Sequence, residues 1–147
     1  MTATISAPPT SDRSRLRRIR GPAVLAGAVL GASVLLHVRD PHQSGSWGFC
    51  PWLLLTGTSC PGCGGLRAVN DLTRGDIAAA ASSNLLFVSA VPLLFFFWSR
   101  WFVDRWNGVR RPQVNSRRAL WYAGAVLAVA IAFAVVRNTP SGAWLAP

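Results

Sequence analysis

Three cysteines, Cys50, Cys60 and Cys63, stand close together in a chain of 147 residues that has no others. They are too few for a disulfide scaffold and too clustered to be incidental. Cys60 and Cys63 are separated by two residues, near enough for both sulfurs to face one point, and Pro61 with Gly62 supplies the tight turn this requires. Gly64 and Gly65 let the backbone enter a short helix over 66–73 without steric conflict. The cysteine pair is therefore expected at a helix N-terminus, where the macrodipole and Arg67 one turn on favour thiolate over thiol.

Three chemistries fit these residues. In the first, the three cysteines hold a zinc-like metal, because C-P-x-C-G resembles the knuckle of rubredoxins and zinc ribbons. A closed structural site needs four ligands, and His42 is the best local candidate for the fourth, with His37 next. In the second, Cys60 and Cys63 cycle between dithiol and disulfide, a spacing that resembles thioredoxin's although the strands of that fold are missing. In the third, the cysteines are structural, as a disulfide on an oxidising face or as small buried packing residues. No nucleophile triad or phosphate loop appears, so no residue is assigned a catalytic role. Asp76 is placed to cap a helix and Asp71 to lie on a helix surface. Asn84 falls about two turns into an apolar segment, where an unpaired amide is costly. It is expected to bond the 60–67 turn with help from Ser82 and Ser83, or else to pack between helices.

The elements that must position this loop are apolar. About half of the residues are hydrophobic and only 14% charged, and all fifteen basic side chains are Arg, against five Asp, for a net charge of +10. A basic total invites nucleic-acid binding, but the arginines lie in blocks beside apolar runs, where they anchor to anionic lipid headgroups, and no groove-entering motif accompanies them. Residues 1–21 read as a flexible basic tail. Three spans follow at 22–38, 77–98 and 119–136, with the cysteine loop at 50–68 and a flexible tail at 137–147. Pro22 suits a first helical turn, and Pro92 predicts a kink in the second span. The basic start also fits a signal peptide, but no small-x-small site follows, so the first run is read as a retained span. Five arginines precede the first span and Arg100, Arg105, Arg110, Arg111, Arg117 and Arg118 lie between the second and third, eleven of the fifteen. That excess puts the N-terminus in the cytoplasm and the cysteine loop and C-terminus outside a plasma membrane. Gly27 with Gly31, and Gly124 with Ala128 and Ala132, form small-residue stripes suited to intramolecular helix packing or to dimerisation.

The order Cys50-Pro51, Thr56-Gly57, Cys60-Pro61-Gly62-Cys63-Gly64, Arg67-Ala68, Gly75-Asp76 and Asn84 resembles a family of small bacterial membrane proteins catalogued as domain of unknown function 2752. The resemblance covers residues 50–90 and implies a fold and a motif without a reaction. Many family members carry Asn-Pro where this chain has Asn84-Leu85, a departure that takes away the expectation of a helix break at Asn84. The fold expected is all-α, with three membrane spans and a cysteine loop plus short helix between the first two. The function expected is that of a non-enzymatic accessory or scaffold subunit in a larger membrane assembly, partnered by lipid and by a membrane protein or a second copy. The alternative is a thiol-redox or zinc-binding protein acting through Cys60-Pro61-Gly62-Cys63, with zinc as the cofactor.

Overall fold

A computed structural model of the chain describes residues 12–43, 45–47, 50–109 and 115–145, without the side chains of 12, 13 and 143. The expected tail over 1–11, Arg110, Arg111 and the final residues 146–147 lie outside them. The described residues form helices α1 (Asp12–Val38), α2 (Pro51–Thr56), α3 (Gly65–Thr73), α4 (Ile77–Asn107) and α5 (Ser116–Arg137), then a 3-10 helix (Pro140–Leu145), with no strand among them. α1, α4 and α5 are each long and apolar enough to cross a membrane, so this is a multi-pass membrane protein. The three cysteines lie between the first two spans.

The first span begins upstream of the expected Pro22. α1 already runs through the arginine block, leaving Pro22 in its interior. Arginine and leucine are good helix formers, and Arg15 finds an aromatic face on α4: its guanidinium lies 5.9 Å from the Trp106 ring centre. Trp98 Nε1 donates to the Pro22 carbonyl at 3.2 Å. The indole thus fastens the buried proline turn to α4. On α4, Phe95, Trp98, Phe102 and Trp106 follow one another at helical spacing, with successive ring centres 6.0, 5.6 and 6.1 Å apart. This aromatic ladder sits at the end of the bundle opposite the cysteines.

α4 departs from helical geometry at Asn84, whose φ of −161° and ψ of 93° are extended, and not at Pro92. The kink expected at Pro92 is therefore misplaced, and the break that Leu85 had seemed to remove is present. No proline is needed, because the Asn84 side chain does the work of a cap: its Oδ1 accepts the Phe87 N–H at 2.9 Å. Asp76 opens α4 in the same manner, accepting the Ala79 N–H at 2.8 Å after a left-handed Gly75.

α5 meets the rest of the chain at its C-terminal end, and its apolar middle is not covered by α1 or α4. Intramolecular packing of the small-residue stripes does not occur, since a Cβ built on Gly27, Gly31 or Gly124 would meet nothing within 4 Å. The segment expected as a flexible C-terminal tail instead folds into the 3-10 helix, with Leu145 buried. Gly142 permits this, because any Cβ there would collide with the Val136 carbonyl oxygen.

The interior is polar and the exterior apolar. Asn70, Asp71, Ser83, Asn84 and Arg137 are buried together with Ala68 and Ala80, while Leu93, Phe95, Phe96 and Val126 are exposed. In water this arrangement would be unstable, but lipid is as apolar as leucine, so the polar groups gain by turning inward to one another.

Candidate functional site: a cysteine turn held by two spans

The turn is built by short-range backbone bonds. Cys63 N–H donates to the Cys60 carbonyl at 3.1 Å, Gly65 N–H to Gly62 at 3.0 Å, and Ala68 N–H to Gly64 at 2.8 Å. Gly64 takes a φ of 79°, a left-handed conformation that a side chain resists, and from it α3 starts. Cys50 arrives by a route not expected from the sequence, the short helix α2. Pro51 occupies its first turn, and left-handed Gly57 ends it. Thr56 and Thr58 then close the segment, Thr58 Oγ accepting from Trp52 Nε1 at 3.1 Å. The chain thereby folds back and returns Cys50 to Cys60.

The sulfurs of Cys60 and Cys63 are 2.9 Å apart, and those of Cys50 and Cys60 are 3.6 Å apart. All three lie within 4.8 Å of one another as free cysteines. Cys60 N–H also points at Cys63 Sγ, 3.3 Å away. The three thiols are not equivalent. Nearby backbone hydrogen bonds, that of Leu53 first, hold the Cys50 thiol below its ordinary value. Burial, with the hydrogen bonds of the other two thiols, pushes Cys63 up to about 12.

Two spans grip the turn. From α4, Asn84 Nδ2 donates to the carbonyls of Pro61 and Cys63, each at 3.0 Å. With its bond from Phe87, the buried amide has every polar atom engaged. From α5, Arg137 donates through Nη1 to the carbonyls of Cys60 at 2.9 Å and Cys63 at 3.0 Å, and through Nη2 to Leu145 at 2.7 Å. Asn138 and Ser59 exchange two further bonds, Ser59 N–H to Oδ1 at 2.8 Å and Nδ2 to the Ser59 carbonyl at 2.9 Å. Arg137 is 1% exposed, and no carboxylate lies within ion-pair distance of it among the described residues.

The sequence candidates divide. Cys50, Cys60 and Cys63 come together, with Pro61, Gly62 and Gly64 in the turn and Asn84 bonded to it. His42 does not join them: its backbone N–H and Nδ1 engage Asp40 Oδ1, at 2.8 and 2.9 Å, and Nε2 faces Asp71 Oδ1 at 3.4 Å. His37 bonds Thr73 instead. Arg67 makes no hydrogen bond to the thiols, its Nε donating to the Pro41 carbonyl at 3.4 Å. Ser83 leaves the turn and donates to Asp71 Oδ2 at 2.9 Å, while Ser82 bonds within its own helix. Asp76 is a cap.

Sequence reasoning missed Arg137, which it counted as a flank of the third span. The available signal was a lone cation directly abutting an apolar run, with no basic neighbour to form an anchoring block. It also missed Asn70, fully buried, whose Nδ2 donates to the Leu36 carbonyl at 2.7 Å and whose Oδ1 accepts from Arg74 Nε at 2.9 Å. Asp71 is buried rather than on a helix surface.

Residues 50–98, about a third of the chain, match the model of the family described as protein of unknown function (DUF2752). The match contains all three cysteines, Arg67, Asp76 and Asn84, and stops short of Arg137. No curated protein and no solved structure matches the chain.

Proposed function

We propose that this chain is a non-enzymatic subunit of a plasma-membrane assembly, built around one zinc-like ion held by Cys50, Cys60 and Cys63 on the outer side. The observation that carries this reading is the convergence of three free sulfurs within 4.8 Å. An all-sulfur donor set suits zinc and other soft ions and disfavours magnesium or calcium, which take oxygen ligands. Arg137 adds to the fit. Three thiolates and a divalent ion sum to one negative charge, which offers the buried guanidinium a counter-charge that no carboxylate among the described residues provides. When bound, the ion would act as a crosslink: α2, the turn before α3, and through the turn carbonyls α4 and α5 would be fixed as one unit. The uncovered flank of α5 is the surface left for a membrane-protein partner or a second copy. The arginine excess supports an N-terminus in the cytoplasm.

A second reading has one observation in its favour, the 2.9 Å approach of Cys60 and Cys63 sulfurs, which suits a dithiol that closes to a disulfide and leaves Cys50 free. Metal analysis of the detergent-purified protein, prepared with zinc in the growth medium, separates the two. One metal ion per chain, lost in Cys60→Ser and in Cys63→Ser, is the expected result. Metal-free protein carrying a Cys60–Cys63 disulfide would overturn the metal reading.

A further inference from the structure

The cysteine cluster borders a cavity of about 400 Å³, within the range of small-molecule sites. All three cysteines contribute to its lining, as do Trp47, Leu53, Leu54 and Leu66. Arg67 lines it as well. Apart from the long Nε contact to Pro41, its guanidinium has no hydrogen-bond or ion-pair partner among the described residues.

No fourth ligand joins the three cysteines among the described residues. Among the described residues the only group of His, Cys, Asp or Glu side chains that could share an ion is the cysteine trio. His42 is committed to Asp40 and Asp71, His37 to Thr73, and Asp76 to the start of α4. Zinc with three protein ligands keeps its fourth position for water or for an incoming molecule. Resting on the metal reading above, we propose that this fourth position opens into the cavity and is taken by the thiolate of a small organic thiol, whose apolar body lies against Trp47, Leu53, Leu54 and Leu66 and whose negative charge faces Arg67. A soft sulfur donor matches the three already present. The apolar lining supplies selection for the body of the molecule, and the free guanidinium supplies selection for its charge.

Cobalt(II), which replaces zinc in thiolate sites and is visible by absorption, gives the test. The reduced protein in detergent is loaded with cobalt in thiol-free buffer and titrated with phenylmethanethiol and with 2-mercaptoethanol, two thiols of similar acidity. Both should raise the sulfur-to-cobalt charge-transfer absorption, and phenylmethanethiol should bind about tenfold more tightly, since burying its ring is worth over one kcal/mol. Leu53→Ser with Leu54→Ser should abolish that preference while leaving cobalt bound. Arg67→Gln should weaken both thiols by about threefold to tenfold. Stoichiometric cobalt with a spectrum indifferent to either thiol would overturn this inference and leave the metal site standing. Failure to bind cobalt at all would overturn both.

Discussion

Asn84, from the second span, and Arg137, from the end of the third, donate to the same carbonyl oxygen, that of Cys63, each at 3.0 Å. One oxygen has two lone pairs, and here both are used by side chains far apart in sequence. The carbonyl of Cys63 is therefore the point at which the second and third spans are tied together, and the sulfur of that same residue sits in the metal-sized cluster. Loop geometry and helix packing are thus coupled at one residue.

Asn84→Ala should cost about 2 kcal/mol or more, because it strips donors from two carbonyls and leaves the Phe87 N–H uncapped away from water. Ser82→Ala, whose hydroxyl bonds only the Ala79 carbonyl of its own helix, should change stability by less than about 0.5 kcal/mol. Thermal unfolding in detergent compares the two, and equal losses would refute the role given to Asn84.

Arg137→Gln should destabilise by on the order of 3 kcal/mol, since bonds from a charged donor are the stronger kind and the carbonyls of Cys60, Cys63 and Leu145 each lose one, with Asn84 still bonded to Cys63 alone of the three. Lysine should recover only part of this, lacking the planar fork that serves Cys60 and Leu145 together. Hydrogen exchange over 140–145 reads the effect directly: protection should fall with glutamine and partly return with lysine.

In the reduced, metal-free protein, N-ethylmaleimide at neutral pH should modify Cys50 ahead of Cys63. The thiolate is the reactive form, and Cys50 is held below its ordinary value whereas Cys63 is pushed up to about 12. Peptide mass spectrometry at successive times gives the order, and added zinc should slow both. Cys63 reacting first would contradict the environment described for it.

The loop at Asp40 should loosen in acid. The backbone N–H and ring of His42 bond its carboxylate and hold its pKa below the ordinary 3.8, so folding favours the charged form. Its stabilising effect is complete above the ordinary value and disappears as pH falls through the lower folded value. The His42 amide should gain hydrogen exchange across that interval in the wild type relative to its intrinsic rate, and Asp40→Asn should remove the change.

The three spans were legible because lipid exposure demands long apolar helices and little else. The Cys60–Cys63 turn was legible because its glycines and proline are local requirements. What the chain hid was long-range. The arginine end of α1 meets Trp98 and Trp106, more than seventy residues away, and no periodicity announces that. Arg137 looked like a membrane anchor because a charge beside an apolar run has two uses, meeting headgroups or meeting buried carbonyls, and only the fold separates them. Asn70 and Asp71 were obscured for a related reason: a membrane helix turns its polar residues inward, the reverse of the pattern in water. The break at Asn84 was missed because a side chain, rather than a proline, makes it.

Zinc-edge X-ray absorption on the purified protein, prepared without added thiol, reads directly whether Cys50, Cys60 and Cys63 hold an ion. Three sulfur neighbours at about 2.3 Å and one lighter atom are expected, with one sulfur fewer in Cys50→Ser. A shell of oxygen and nitrogen alone, or protein that holds no zinc when all three thiols are reduced, would contradict the metal reading.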